Sequence, residues 1–361
     1  MRDKNVMIAM SGGVDSSVAA CLLKEAGYAC TGVTMKLFGN EDIGASREDV
    51  CCSLKDSRDA RSVAGKLDIP HYVFNFTRDF EEQVIERFIR EYEQGRTPNP
   101  CVDCNRYLKF MKLFSRARQL GFDYIATGHY ARIERDGQSG RFLLKKALDR
   151  TKDQSYVLYM LTQEQLSHTI LPLGGLKKSE VREIAQARGF INAAKSESQD
   201  ICFVPDGRYA DFIEQRRGKP SEPGNFIGES GEIIGRHRGL IRYTIGQRRR
   251  LGVSFPERVF VSKKNAPENT ITLGSESSLY SSVLIAEGFN LISRDAITAP
   301  LRVSVMTRYR QEERPATVEG LDGDKIRVVF DEPQMAAAPG QAVVLYEDDV
   351  VLGGGTIVAM L

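Results

Sequence analysis

The chain has 361 residues, 42% of them hydrophobic, and its 50 Lys and Arg nearly balance 48 Asp and Glu, leaving a formal net charge of +2. That length exceeds one ordinary hydrophobic core, so two or three domains are expected, and the near-neutral balance confines any nucleic-acid surface to local clusters. Seven cysteines at irregular spacing do not read as a secreted disulfide framework, and no apolar run is long enough to cross a bilayer. Met1-Arg2-Asp3-Lys4-Asn5 carries no signal-peptide pattern, so a soluble, cytoplasmic protein with no membrane partner is expected.

The first predicted element is the apolar run Val6-Met7-Ile8-Ala9-Met10. Ser11-Gly12-Gly13-Val14-Asp15-Ser16 follows, then a helix-patterned stretch with Val18, Leu22, Leu23 and Ala26 on one face. Strand, glycine turn and helix N-terminus in that order make an anion site. Gly12 and Gly13 let the backbone approach a ligand, while Ser11, Ser16, Ser17 and the first-turn N–H groups donate hydrogen bonds into the positive end of the helix dipole. Pyrophosphate suits it, although the spacing is neither that of a Walker A loop nor that of a dinucleotide fingerprint. Asp15 is out of place beside a bare anion and makes sense if Mg²⁺ lies between its carboxylate and the phosphates. An ordinary serine-capped turn is the competing reading.

Strand-like runs at Gly32–Phe38, Tyr72–Phe76 and Tyr124–Ala131 alternate with helix patterns at Ser53–Leu67 and Asp79–Gln94, which predicts a parallel sheet with helices on both faces. Phe80, Val84, Phe88 and Tyr92 form a core-facing stripe on the second of these helices. Next comes Arg96-Thr97-Pro98-Asn99-Pro100-Cys101-Val102-Asp103-Cys104-Asn105. Its two prolines argue for a rigid loop that presents Cys101 and Cys104 at the entrance to a helix near Asn105, where a thiol is more easily ionised. Three readings compete: half of a zinc site without a second pair, a thioredoxin-like dithiol, and a constellation completed by Cys202. Cys21 and Cys30 read as small buried hydrophobes, and Cys51-Cys52 as structural.

Helical patterning returns at Asp153–Leu161 and Ser179–Arg188, and the α/β domain is expected to end near Val204. Short β-type runs follow at Val259–Ser262, Thr270–Leu273, Leu301–Thr307, Lys325–Phe330, Ala342–Tyr346 and Thr356–Met360, which suggests a small connecting domain and a closed antiparallel barrel. The expected division is 1–204, 205–280 and 281–361. Arg236-His237-Arg238, Arg242, Tyr243 and Arg248-Arg249-Arg250 form a basic strip without evident balancing carboxylates, the composition of a phosphate-contacting surface.

Taken in order, Ser11–Ser17, Thr97-Pro98-Asn99-Pro100, Thr127-Gly128-His129-Tyr130-Ala131-Arg132, Lys152–Tyr159, Ser198–Phe203, Thr244–Arg248, Thr307–Arg310 and Leu352–Gly355 resemble the bacterial tRNA-specific 2-thiouridylases, the MnmA/TrmU family of the PP-loop ATP pyrophosphatases. The resemblance spans nearly the whole chain. It implies a PP-loop α/β domain, a small central domain and a C-terminal β-barrel that grip the anticodon stem-loop of tRNA. The activity implied is ATP-dependent 2-thiolation of the wobble uridine at position 34, with Mg²⁺ as the metal. Lys, Glu and Gln acceptors are the implied substrates, a cysteine desulfurase or sulfur-relay protein the donor, and a monomer the implied state.

Residue by residue, the resemblance implies ATP binding by Ala9, Met10, Ser11, Gly12, Gly13, Val14, Asp15, Ser16, Met35 and Gly128. It implies tRNA contacts from Asn99, Pro100, Cys101, His129, Lys152, Asp153, Gln154, Arg308, Tyr309 and Gln341. Cys104 and Cys202, with Cys101, are the implied sulfur-handling residues. Familiar members carry Asp where this chain has Cys101, giving Asp-x-x-Cys in place of Cys-x-x-Cys. Two routes therefore stand side by side: a persulfide on Cys202 resolved by Cys104 as a disulfide, or a [4Fe–4S] cluster held by Cys101, Cys104 and Cys202 with one iron open. Two other classes stay open, a PP-loop ligase or amidotransferase acting on a small molecule, and a non-enzymatic RNA-binding sulfur carrier.

Overall fold

A computed structural model of the chain describes residues 4–39, 54–196, 201–204, 207–253, 255 and 257–361. Cys51 and Cys52 lie outside the described residues, as do Glu197 to Asp200. The first seven strands are β1 (Asn5–Ala9), β2 (Ala29–Lys36), β3 (His71–Asn75), β4 (Tyr124–Ala126), β5 (Ala131–Arg135), β6 (Phe142–Lys146) and β7 (Thr169–Ile170). Five of them form the predicted parallel sheet, in the order β3-β2-β1-β4-β7. Its central strand β1 alternates between two cores. Val6, Ile8 and Met10 pack with Val14 and Val18 of helix α1 (Val14–Glu25) and Ala60 and Val63 of α2 (Leu54–Lys66). Met7 faces the other way, toward Phe80, Val84, Phe88, Leu108 and Leu113. That alternation is the period of two of a strand with both faces covered.

Phe80, Val84, Phe88 and Tyr92 are all buried, as their spacing predicts, on a continuous helix over 77–93 that is π-wound at Glu81–Ile85. A second long helix covers 100–119 and is π-wound at Cys104–Leu113. It starts earlier than predicted. Pro100 occupies the first helical position, where a missing N–H costs nothing, and the Asn99 side chain caps the Val102 amide.

Two further expectations are corrected. The single strand predicted over Tyr124–Ala131 is broken at Thr127-Gly128-His129, because the chain there passes over the start of α1: a Cβ on Gly128 would lie 2.7 Å from the Ser16 amide nitrogen. The part after the break is β5, which pairs with β6 as an antiparallel hairpin. The helix predicted over Asp153–Leu161 is only a 3-10 turn at Ser155–Leu158. Its aromatic spacing serves another purpose, since Tyr156 and Tyr159 share one core with Val344, Tyr346 and Val351 of the C-terminal barrel.

The central region carries helix Tyr209–Arg217 and strands β8 (Gly224–Ile227), β9 (Ile233–His237), β10 (Phe260–Asn265) and β11 (Thr270–Gly274), in sheet order β10-β11-β8-β9 around Phe226, Tyr243, Val261 and Ile271. The last six strands are β12 (Tyr280–Leu291), β13 (Leu301–Met306), β14 (Arg314–Gly320), β15 (Ile326–Met335), β16 (Ala342–Glu347) and β17 (Val350–Met360). They run β12-β15-β14-β13-β16-β17, and the β12–β17 pairing closes the predicted barrel. β6 joins the outside of β17 at Lys145 and Val350, so the hairpin of the first domain extends the barrel sheet. Gly354 explains part of the glycine run in β17: a Cβ there would lie 2.6 Å from the Tyr159 ring.

Candidate active site

The loop between β1 and α1 is a tight glycine turn braced by serines. Gly12 has φ +73°, and a Cβ on it would lie 2.2 Å from the Asp56 carbonyl oxygen, so only glycine suits this position. The serines brace the loop: the Ser16 and Ser17 hydroxyls donate to the Gly13 carbonyl at 3.1 and 3.0 Å, and the Ser11 amide donates to Ser16 Oγ at 3.1 Å. Met10 is tied to β2 through its amide and the Val33 carbonyl, and Met35 is buried on that strand. Gly128 abuts the first turn of α1.

Asp15 holds a partner that the motif did not disclose. Lys178 Nζ donates to both of its carboxylate oxygens at 2.6 and 2.8 Å, and the Tyr130 hydroxyl donates to Oδ1 at 2.7 Å. Lys178 is buried at the start of helix Lys178–Ala187. The only sequence signal for it is its place at the start of the helix predicted over Ser179–Arg188. One carboxylate beside a phosphate cradle fits Mg²⁺, which is usually bound by one or two carboxylates plus substrate phosphates, and Asp15 would be its protein ligand.

The second half of the site is the start of the helix over 100–119. Cys101 is exposed in its first turn and Cys104 is half-buried. The approach to these cysteines is fastened to the barrel: Gln341 Nε2 donates to the Thr97 carbonyl at 2.7 Å, and the Thr97 amide donates to the Pro339 carbonyl at 2.8 Å. Tyr309 comes to the same place. Its ring centroid lies 6.0 Å from that of Tyr156. Tyr309 is 36% exposed, and partial burial of its hydroxyl raises the pKa above the ordinary range against the opposing Arg310 charge, with Asp153 and the Cys101 thiol adding smaller upward effects. Arg308 donates to the Ala336 carbonyl. Cys101, Asp153, Arg308, Tyr309 and Gln341, scattered along the sequence, thus lie around one junction between helix and barrel.

Lys109 and His129 link the two halves. Lys109, on the cysteine helix, places Nζ 3.4 Å from His129 Nε2, and His129 Nδ1 lies 2.7 Å from Thr127 Oγ1. His129 is buried, and burial together with the nearby Lys109 charge holds its imidazole well below the ordinary 6.5. The folded protein therefore keeps it neutral while the unfolded chain takes up a proton as pH falls through 6.5. The unfolded state then binds more protons, so His129 removes stability as pH falls below that value. Thermal unfolding from about pH 7.5 to about pH 5 should show a shallower loss of stability in His129→Gln than in the unmodified protein. An equal slope would place the acid sensitivity elsewhere, with His71 and His237 the other histidines lowered by burial.

Other predicted contacts are engaged within the fold. Asp153 accepts from the Ala147 amide and the Ser155 hydroxyl, both at 2.7 Å. Gln154 Oε1 accepts from the Tyr130 amide at 3.0 Å. Lys152 is partly buried beside them. In the basic strip Arg242 is balanced after all: it pairs with Glu214 at 2.5 Å and Asp211 at 3.2 Å, both on the helix Tyr209–Arg217. His237 and Tyr243 are buried, which leaves Arg236, Arg238 and Arg248 to Arg250 exposed. Replacing Arg248 and Arg249 by Ala should weaken RNA binding at any sequence and reduce its salt slope by about one unit for each phosphate no longer neutralised. Arg242→Ala should instead cost about 1 kcal/mol of stability or less and leave that slope unchanged. Binding titrations at several salt concentrations check both.

Cys202 is half-buried beside Phe203, which packs edge-on against Phe80 and Phe88 at 5.6 and 5.2 Å. Cys104 and Cys202 both pack against the core cluster that contains those rings. Two of the sulfur expectations find no support in the resting structure. Cys101, Cys104 and Cys202 are not joined in disulfides. Among the described residues, no group of three or more His, Cys, Asp or Glu side chains is placed to hold a metal ion, so the arrangement gives the three-thiolate cluster no support. No described helix is long and apolar enough to cross a membrane.

Three family models match the chain: the tRNA methyl transferase HUP domain over residues 4–206, the tRNA methyl transferase PRC-barrel domain over 210–275 and the aminomethyltransferase beta-barrel domain over 281–357. The tRNA-specific 2-thiouridylase MnmA of Clostridioides difficile (strain 630) is 50% identical over 355 residues, which cover 98% of each chain. The protein of the same name from Moorella thermoacetica is 51% identical over 351 residues, covering 97% of this chain and 98% of its own. That of Acetivibrio thermocellus is 48% identical over 358 residues, covering 99% of this chain and all of its own.

Proposed function

Since the chain belongs to the tRNA-specific 2-thiouridylase family, we propose that it thiolates the wobble uridine of tRNA at C2, using ATP to activate the base and a cysteine persulfide to deliver sulfur. The observation that carries this reading is the junction at Cys101. The barrel fastens the cysteine-bearing segment through Gln341 and sets Tyr309 beside it, which leaves an aromatic platform next to thiols for a base turned out of its loop. Through Lys109, His129 and Gly128 that junction is linked to the cradle after β1.

Exchange of a carbonyl oxygen for sulfur is slow because oxide leaves poorly. Attack of uridine O2 on the α-phosphate of ATP expels pyrophosphate and converts the oxygen into part of an AMP leaving group. The loop after β1, with Asp15 as the protein ligand to Mg²⁺, stabilises the charge on the departing pyrophosphate. The terminal sulfur of a Cys202 persulfide then attacks C2 and AMP leaves. Cys104 thiolate attacks the Cys202 sulfur, releases 2-thiouridine and forms a Cys104–Cys202 disulfide, which a thiol reductant must reopen before the next turnover. The persulfide comes from a cysteine desulfurase or relay protein.

In this reading the chain acts as a cytoplasmic monomer on tRNAs for Lys, Glu and Gln, divided at 1–204, 205–280 and 281–361. Asn99, Pro100, Lys152, Asp153, Gln154, Arg308, Tyr309 and Gln341 frame the RNA side. Ala9 to Ser16, Met35 and Gly128 frame the nucleotide. The test is release of AMP and pyrophosphate from labelled ATP together with mass-spectrometric detection of 2-thiouridine. Pyrophosphate release should require tRNA, and AMP release with 2-thiouridine should require both tRNA and a persulfide donor. Pyrophosphate release that needs a small carboxylic acid and no tRNA would overturn the proposal in favour of a ligase.

A further inference from the structure

Lys109 is a cation without a counter-charge at the seam between the two halves of the site. Among the described residues its one polar partner is the ring of His129, whose Nε2 lies 3.4 Å from Nζ, and no carboxylate is paired with it. Lys112, farther along the same helix, is by contrast paired with Asp79 at 2.8 Å. An ammonium can only donate, so His129 Nε2 accepts and the ring proton is on Nδ1, 2.7 Å from Thr127 Oγ1. Burial and the Lys109 charge keep that ring neutral, as this bonding requires. Gly128, the next residue back in the chain, presses on the first turn of α1: a Cβ there would lie 2.7 Å from the Ser16 amide nitrogen and 3.1 Å from Asp15 Cβ. The helix brings the same ammonium toward the thiols. Residues five apart diverge by about 140° on an α-helix, but the stretch Cys104–Leu113 is π-wound, and its slower turn draws Cys104 and Lys109 toward one side.

We propose that Lys109 is a catalytic residue whose ammonium binds a nonbridging oxygen of the α-phosphate, first in ATP, then in the adenylated uridine and last in the departing AMP. His129 is its positioning residue: it takes one of the three ammonium protons and leaves the others for the phosphate. When the persulfide sulfur attacks, the C2–S bond forms and the C2–O2 bond breaks, and the electron pair of the broken bond leaves on AMP, whose phosphate gains negative charge. A cation fixed beside that phosphate binds the product side of the step more strongly than the adenylate, so its effect is felt in the chemical step. The metal held by Asp15 serves the pyrophosphate, and once pyrophosphate has left, the α-phosphate needs a counter-charge of its own. Lys109 lies where the nucleotide turn and the cysteine helix meet, and it has no other charge to answer. The inference rests on the reading of the loop after β1 as a nucleotide site.

The experiment is calorimetry on the full chain with three probes: AMP, inorganic pyrophosphate with Mg²⁺, and α,β-methylene ATP, a nonhydrolysable analogue that cannot be split between those phosphates. In Lys109→Met, AMP and the analogue, which share the α-phosphate, should each bind about tenfold more weakly, the order of one charged hydrogen bond, while pyrophosphate affinity stays within about twofold. Lys109→Arg, which keeps the charge and donors, should recover most of the AMP affinity. His129→Leu, which removes the acceptor and leaves the ammonium unplaced, should weaken AMP by a smaller factor and leave pyrophosphate alone. In thiolation, kcat of Lys109→Met should fall on the order of 10²-fold. Lys109→Gln carries the same test if Lys109→Met fails to fold. An unchanged AMP affinity in these variants, or a loss confined to tRNA affinity and its salt slope, would overturn the assignment and make Lys109 a contact to the RNA backbone. Unmodified protein that binds neither AMP nor pyrophosphate would overturn the functional reading and this inference with it.

Discussion

Cys104→Ser and Cys202→Ser should each lower tRNA thiolation on the order of 10³-fold or more, whereas Cys101→Asp should keep activity within about tenfold of the unmodified protein. The asymmetry comes from where the three thiols sit. Cys104 and Cys202 are half-buried against one core cluster, where water is limited and a persulfide is shielded. Cys101, three positions earlier on the same helix, is exposed and next to Tyr309. An aspartate in the first turn of a helix is favoured by the helix dipole, so the substitution should not disturb the start of the helix. Thiolation driven by a persulfide donor, followed by nucleoside mass spectrometry, measures all three variants. Loss of activity in Cys101→Asp comparable to the other two would make Cys101 a working thiol and would revive a three-cysteine mechanism. A non-reducing peptide map after one turnover should show the Cys104–Cys202 disulfide in the unmodified protein and in Cys101→Asp.

What the sequence disclosed and what it hid divide along the range of the interactions. The strand, glycine turn and helix at residues 5–25 were legible because they are consecutive, and each announces itself through local chemistry. The stripe at Phe80, Val84, Phe88 and Tyr92 was legible for the same reason. Pro100 misled because a proline forbids the interior of a helix but suits its first turn, and the capping Asn99 just before it is the sign that decides between the two. Tyr156 and Tyr159 have the spacing of a helix face, yet they form a wedge between sheet domain and barrel, a use that spacing cannot distinguish. Ala131 reads as the end of the strand from Tyr124 because nothing in its composition records that the chain leaves the parallel sheet there. Arg242 reads as unbalanced because its carboxylates, Asp211 and Glu214, come from a helix earlier in the chain. The residues grouped around Cys101 could be assembled only by resemblance, since the barrel residues that meet the cysteine helix are separated from it by up to 244 positions, as Gln341 is from Thr97.

The Asp15–Lys178 pair, 163 positions apart, is the part of the site with the largest consequence and the least local trace. Asp15→Asn and Lys178→Met should each abolish tRNA-dependent release of AMP and pyrophosphate, by on the order of 10²-fold or more, while tRNA affinity stays within about threefold. Both Lys178–Asp15 hydrogen bonds are short, and Lys178 is buried, so without nucleotide the lysine serves as the counter-charge to the aspartate. The lysine left alone at that depth would be costly, whereas the Asp15 side chain is 31% exposed. With nucleotide bound, Asp15 would hold Mg²⁺, which would supply the counter-charge to the phosphates, and Lys178 would be free to pair with a phosphate oxygen in place of the carboxylate. The two variants then separate by their metal dependence. Asp15→Asn should respond little to raised Mg²⁺, having lost the ligand, whereas Lys178→Met should bind Mg²⁺·ATP and stall at the chemical step. Calorimetry with the nonhydrolysable analogue distinguishes the two outcomes. A Lys178→Met protein that adenylates at the unmodified rate would reduce the pair to a structural ion pair.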